Sequence, residues 1–506
     1  MITMMAQPWR RLLGPLSALL LFFLLAASAR AATVQQKSIG RTLNTGWIGV
    51  GLAVDGEGRI HMSWGGGDQA DEMLHYTLID GHRKTDAVVD AQPACGDWSA
   101  LAVDSAGLPQ IAYHCVRSGQ DLLAYASFDG TAWHTEVLGP GNLPIAIAVD
   151  ADGEPHIAHE VTSFTPLPSS YFELLHRDNT GWHAEQPGSF NVGSQALSIA
   201  LDPAGHTHLG MNDSVSDGPI DATDASGDWV VTSLGDSSPL ASPGATMGSL
   251  ALDSQGRPHA ALLGSNPTTV RYSHFDGANW VSEDLYDANA FPPGTKDQPL
   301  TASIALDAQD RPSIFFLDQF SNLQNDLLGE LLVYAYRSGD HWSGVSLASN
   351  RGHGHWTRLA SAPDGAGIAM EGLFAGSDTE TLREIRIAVP DLTPSWTSLA
   401  VSEGKKGMVR IDGILQVTNL GAGKSGKPVV DFYLSSDDVL DSGDTLVAAK
   451  RPVGGLASGA SKSAKVSLQV APPVDGMHLI AVIDPDEQLE DRDRSNDVTA
   501  GLLSGP

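Results

Sequence analysis

One phrase recurs along the chain: an apolar alternation ends in Asp, two residues intervene, a Gly follows, and a second apolar alternation begins. Its copies are marked by Asp55 with Gly58, Asp104 with Gly107, Asp150 with Gly153, Asp202 with Gly205, Asp253 with Gly256, and Asp307 with Asp310. A seventh copy, Ala362 with Gly365, has Ala in place of the Asp. Successive markers lie 49, 46, 52, 51, 54 and 55 residues apart. The period-2 alternation on either side predicts two strands joined by a tight turn. Its Asp accepts local backbone hydrogen bonds and its Gly takes positive φ. Most units add a third apolar stretch, such as Leu122 to Ala126 or Val333 to Tyr336. A Gly turn and a Trp then open a fourth strand, as at Gly130 and Trp133, Gly181 and Trp182, Gly277 and Trp280, or Gly339 and Trp342. Four short strands in about 50 residues, one aromatic in each unit, are the pattern of a β-propeller blade. No stretch beyond the first 31 residues has helical periodicity, so the fold class expected is all-β.

The ends of the array set the blade count. The seventh unit runs through a third strand, Leu382 to Ala388, and stops without its Gly-Trp and fourth strand. The array opens on an orphan extended piece, Thr33 to Ile39. An N-terminal strand that completes the last blade reconciles the two and leaves no free edge. The expectation is a seven-bladed β-propeller over 33–389. An open β-solenoid is the alternative, and it does not account for complementary ends.

These repeats resemble those of bacterial sialidase-like (BNR-type) propellers over about 350 residues. The resemblance implies a scaffold. The sialidase Asp-box, Ser-x-Asp-x-Gly-x-x-Trp, and a Phe-Arg-Ile-Pro segment do not occur, so sialidase activity is not expected. Cys95 and Cys115, the two cysteines of the chain, flank the Asp104–Gly107 turn at nearly equal distances. A hairpin centred there brings them opposite each other, and a disulfide is expected.

Residues 1–31 read as a secretory signal peptide: Arg10 and Arg11, an apolar run from Leu16 to Ala27, and the small-x-small pattern Ala29-Arg30-Ala31. That leader holds three arginines and no acids, so the chain beyond it carries 27 basic against 60 acidic residues, a net charge of −33. Such a balance argues against nucleic acid as partner. No later stretch is long and apolar enough to span a bilayer as a helix. The protein is expected to be exported, whether extracellular, at the cell surface or periplasmic, and monomeric.

From Asp391 the rhythm changes, with Leu392-Thr393-Pro394 reading as a linker. The pieces that follow are Val417-Thr418-Asn419-Leu420-Gly421, Phe432 to Asp437 running into Asp441 to Leu446, and Gly455 to Gly459. Ile480 to Asp486 and Ser495 to Val498 close the series. In this order they resemble the bacterial CARDB (cell-adhesion-related) domain, which implies an immunoglobulin-like β-sandwich over 391–500. Asp437, Asp441 and Asp444 crowd one loop with hard oxygen ligands that could hold Ca²⁺, a solvated acidic turn being the alternative. No other cofactor is expected. The acids from Asp484 to Asp497 alternate with Arg492 and Arg494, which reads as surface charge pairing.

Sequence-local catalytic signatures are missing. Gly421 to Ser425 imitates a P-loop but lacks its first glycine, and His159-Glu160 is not followed by the second His of a zinc helix. No Gly-x-Ser-x-Gly elbow occurs. His61, His156, His208 and His259 recur three residues after the turn Gly, so a role in hydrogen bonding between blades is expected of them. A site must come from what differs between blades. Where second strands end on one rim, Trp64, His114, His159, Glu160, Asp213 and Asp318 are candidates. The connections between blades add Trp47, Trp98, His353, His355 and Trp356. Exposed Trp faces with carboxylates and imidazoles suit sugars, and His353 with His355 could share a metal. Otherwise these tryptophans pack between blades. The function expected is recognition of an extracellular glycan or surface protein on the rim. The alternative is a polysaccharide lyase or glycoside hydrolase with His114, His159 or Glu160 as acid or base.

Overall fold

In the computed structural model the turn aspartates organise the chain. The Oδ1 of Asp55 accepts the backbone N–H groups of Glu57 (3.0 Å) and Arg59 (2.9 Å). The turns at Asp104, Asp150, Asp202, Asp253 and Asp307 repeat the bond from the residue four further on. Gly58 takes φ +79°, and Asp310, standing where the other copies have Gly, takes φ +60°. In the seventh copy Ala362 has no carboxylate to offer. Its turn is held by backbone bonds between Ala362 and Ala366 and between Gly365 and Ala362, each 2.8 Å.

The structure describes residues 32–43, 49–66, 73–163, 169–188, 192–213, 218–234, 246–265, 268–285, 295–322, 327–348, 353–374 and 379–504. The leader and Trp47 lie outside these, as do the side chains of Asp213, His353 and His355. The fold is all-β. Among the described residues before 389, the strands form seven four-stranded antiparallel sheets, here units 1 to 7. Units 1 to 6 span 51–90, 95–140, 142–185, 192–233, 246–284 and 295–348. Unit 7 takes three strands from 353–388 and its fourth from Thr33–Leu43, which pairs with Thr379–Ala388 in the register Thr33↔Ala388 to Leu43↔Thr379. First strands of successive units adjoin in chain order, and that of unit 7 adjoins that of unit 1. The two ends of the array are therefore hydrogen-bonded into one sheet.

Apolar residues pack between neighbouring sheets rather than within one. Leu74 and Tyr76 of unit 1 meet Ile111 and Tyr113 of unit 2, while Met62 and Trp64 of unit 1 meet Ile368 and Met370 of unit 7. The recurrent Trp has its partner here. Trp133, Trp182 and Trp342 meet the third-strand tyrosines Tyr76, Tyr125 and Tyr272 of the preceding units edge to face, with centroids 5.0–5.2 Å apart. Those tyrosines also explain the recurrent His, whose bond is within its own sheet and not between blades as expected. Tyr76 Oη lies 2.7 Å from His61 Nδ1, and Tyr272 Oη 2.6 Å from His259 Nδ1. The hydroxyl reaches diagonally across one strand pair, a contact that position in the repeat alone does not reveal.

After 389 a three-stranded sheet (Leu392–Glu403, Val409–Asn419, Ser461–Val470) faces a four-stranded one (Thr445–Pro452, Val429–Ser435, His478–Ile483, Val498–Leu502). Their shared core includes Ile411, Leu415 and Leu468 from the first sheet and Phe432, Leu479 and Ile483 from the second. Leu392 is fully buried and pairs with Asn419, so Leu392-Thr393-Pro394 begins a strand and is not a linker. The alternating acids and arginines near the C-terminus are not on the surface either. Asp484, Asp491, Arg492 and Asp497 are buried; Arg494 reaches Asp484 (3.4 Å) and Asp497 (3.3 Å), and Arg492 is inserted into unit 6. Its Nη2 lies 3.0 Å from Asp307 Oδ2 and 3.0 Å from the Arg311 carbonyl, and its guanidinium sits over the Tyr336 ring at 5.6 Å. Around it, the Tyr336 hydroxyl donates to Glu490, Ser338 Oγ to the Asp491 carbonyl (2.9 Å), and Arg311 Nη1 to Asp391 Oδ2 (2.8 Å). In units 1, 3 and 5 the histidine at the recurrent position approaches the turn Asp; unit 6 has Ser313 there, and the arginine of the C-terminal module takes its place.

Candidate functional site

Units 2 and 3 hold the polar groups that the repeat does not explain. Cys95 opens the first strand of unit 2 and Cys115 lies near the end of its second, paired directly across the ladder. They form the expected disulfide, Cα–Cα 4.1 Å. It pins the start of the first strand, which carries Asp97, against the strand carrying His114. The His114 ring is buried between two carboxylates, Nδ1 2.8 Å from Asp97 Oδ1 and Nε2 3.1 Å from Asp121 Oδ1. Ionised carboxylates only accept, so the ring donates from both nitrogens as an imidazolium. Burial by itself pulls its pKa down; Asp97 and Asp121 together hold it above the usual histidine value. Beside them Tyr113 Oη donates to the buried Asp90 (2.8 Å). Asp90, Cys95 and Cys115 are grouped closely enough to suggest a metal, but both sulfurs are committed to the disulfide.

His159, on the second strand of unit 3, is also buried. Its Nδ1 lies 3.1 Å from the Glu160 carbonyl and its Nε2 3.3 Å from Glu173 Oε2. Gly141 brings the two clusters together. A Cβ there would stand 2.7 Å from Leu123 Cβ and 2.9 Å from His159 Nδ1, and its N–H bonds the Asp121 carbonyl at 3.3 Å. Only a residue without a side chain threads that gap. The carboxylates remain open to water: the side chains of Asp97, Asp121 and Glu173 are 34%, 55% and 25% exposed. The result is a fixed row of acceptors with its imidazoles turned inward, suited to hydroxyl donors. Asp97, Asp121 and Glu173 were not among the residues singled out from sequence. Asp121 and Glu173 lie on third strands, which run antiparallel to the second and so begin on the same rim, a signal the register carries.

The other candidates separate from this pair. Trp64 and Trp356 are buried together in the core between units 1 and 7. Trp64 stacks on His75 at 4.4 Å and donates to Thr77 (3.2 Å). Trp98 is buried between units 2 and 3 and reaches the Ile145 carbonyl at 3.4 Å. The stacking faces expected of these rings are turned into the core, because a large apolar ring at a strand end gains more from packing than from water. Asp318 is buried in unit 6. Asp213 and the His353, His355 pair lie in strands, their side chains outside the described residues. Asp437 Oδ1 accepts from Val439 N (3.0 Å), Asp441 Oδ1 from Gly443 N (2.6 Å), and Asp444 Oδ2 from Asp441 N (2.9 Å). These carboxylates fasten their own turn, and among the described residues Asp437, Asp441 and Asp444 do not converge as a metal-binding group.

Residues 389–501 match the CARDB family model, so the chain carries a CARDB domain there. No curated protein matches the chain. Among solved structures, a protein of unknown function from Dyadobacter fermentans DSM 18053 is similar at 9% identity and TM-score 0.37, over 70% of this chain and 98% of its own. A polysaccharide lyase, an ulvan lyase bound to GlcA(1-4)Rha3S, is similar at 11% identity and TM-score 0.30, over 65% of this chain and 77% of its own. A fucose lectin from Kordia zhangzhouensis in complex with methyl-fucoside is similar at 18% identity and TM-score 0.22, over 28% of this chain and 99% of its own. Among the described residues no helix is long and apolar enough to cross a membrane.

Proposed function

We propose that the chain is an exported binding protein, a seven-bladed β-propeller with an immunoglobulin-like CARDB module, that recognises a hydroxyl-rich extracellular glycan on the rim of units 2 and 3. The observation that carries this reading is the paired cluster His114–Asp97–Asp121 and His159–Glu173, whose exposed carboxylates are held rigid beside a disulfide. Sugar hydroxyls donate to such acceptors, and fixing the acceptors beforehand lowers the entropy cost of binding. The cyclic order of first strands and the closing strand Thr33–Leu43 support the seven-bladed ring. Two facing sheets around one core support the sandwich. The apolar leader supports export. Screening the purified protein against a broad panel of neutral and acidic glycans tests the reading. Saturable binding to neutral, hydroxyl-rich members is expected, and binding to none of the panel overturns it.

A polysaccharide lyase or hydrolase at the same rim is the second reading, favoured by His159 and Glu160 standing side by side on the second strand of unit 3. It requires depolymerisation by the wild type that His159→Ala and Glu160→Ala abolish. The neighbours already held by both nitrogens of His114 and of His159 favour binding over proton transfer.

A further inference from the structure

The recurrent histidine of unit 3 stands in a different setting from the others. His156, His176 and His183 occupy three adjacent strands at one register, His156↔His176 and His176↔His183. Their rings lie one beside the next, with centroids 5.9 and 5.3 Å apart and planes within 25°. The same row in unit 5 carries His259 and His274 but ends on Val281, and in unit 2 it carries only His134. Unit 3 alone among the described residues fills the row with three imidazoles.

A second difference lies in the hydrogen bonding. Elsewhere the inner histidine gives Nδ1 to a side chain two residues back along the third strand: Tyr76 for His61, Tyr272 for His259, Asp221 for His208. In unit 3 that place is held by Leu174, and His156 Nδ1 is buried with no hydrogen-bond partner. The other nitrogens face acceptors. His156 Nε2 lies 3.7 Å from Asp150 Oδ2, and His183 Nε2 lies 2.9 Å from Asp178 Oδ1. A carboxylate on one ring nitrogen with the other nitrogen left over is the arrangement that orients metal-ligating imidazoles. The outer ring is reachable from water, the His183 side chain being 44% exposed.

We infer that the His156–His176–His183 row of unit 3 binds one divalent transition-metal ion of the Zn²⁺ or Cu²⁺ class through its imidazole nitrogens. Imidazole donors suit these ions, whereas Ca²⁺ and Mg²⁺ prefer oxygen. The rings stack side by side and their nitrogens do not yet converge on one point, so binding must turn them about Cα–Cβ until the nitrogens meet one ion at roughly 2.0–2.1 Å. The site is independent of the rim and of the glycan reading.

Titration calorimetry of tag-free protein with Zn²⁺ tests it, alongside His183→Ala, His176→Gln and the control His134→Ala. Wild type and His134→Ala should each take up one ion with micromolar or tighter affinity, and either row variant should lose at least about tenfold. The exposed position of His183 keeps the test valid if His176→Gln perturbs folding. Cu²⁺ should show nitrogen hyperfine coupling in its electron spin resonance spectrum that narrows in His183→Ala. Absence of saturable Zn²⁺ binding, or equal affinity in wild type and His183→Ala, overturns the inference.

Discussion

His114 is where the chemistry of single residues bears most directly on this protein. A buried imidazolium between two carboxylates contributes stability only while it is protonated. Its folded pKa is held above the unfolded value, so the contribution is complete below about pH 6.5 and is lost as pH rises through the folded pKa. His114→Gln should therefore cost about 2 kcal/mol at pH 5 and distinctly less at pH 9, read from denaturant midpoints at both values. An equal cost at the two pH values would show that the ring is neutral in the fold. The recurrent aspartates act at the same scale in another way, each closing a turn with backbone N–H groups. Part of the acid excess therefore serves local turn bonds, and Asp55, Asp253 and Asp307 are buried in doing so.

At the scale of strands and sheets, the disulfide and the N-terminal strand close what the repeat leaves open. Reducing the bond through Cys95→Ser with Cys115→Ser should lower unfolding free energy by about 3 kcal/mol, measured by chemical denaturation against oxidised wild type. A loss near zero would place the rigidity of the rim elsewhere. Much of this level is legible in the amino-acid order, because period-2 alternation, the Asp-x-x-Gly turn and complementary array ends are local or countable. What alternation does not reveal is which side of a strand end meets its neighbour. Trp64 and Trp356 satisfy every sequence criterion for a rim aromatic and are nonetheless core residues. Asp97 and Asp121 were missed for a related reason: their importance lies in reaching His114 from two different strands or connections, and neither has a motif of its own.

For the whole molecule the decisive feature is Arg492, which joins positions 185 residues apart through its bond to Asp307. No spacing rule connects them, and the sequence alone presents Arg492 as one member of an alternating surface run. Its insertion ties the CARDB domain to unit 6, so the two parts should unfold as one. Arg492→Ala leaves Asp307 buried with Arg311 as its remaining cationic partner (2.9 Å), a change expected to cost about 1.5–3 kcal/mol. Calorimetry should then resolve a separate transition for the C-terminal module, while wild type gives one; two transitions in wild type would contradict rigid docking.

Glycan recognition on the rim of units 2 and 3 is tested most directly by titrating the best neutral glycan from the panel into wild type and into Asp121→Ala. Asp121 is exposed and supports His114 without belonging to the core, so its loss should leave the fold intact. Saturable wild-type binding should weaken by about tenfold or more in Asp121→Ala, with unchanged circular dichroism. Equal affinity in the two proteins would contradict that reading and move recognition away from units 2 and 3.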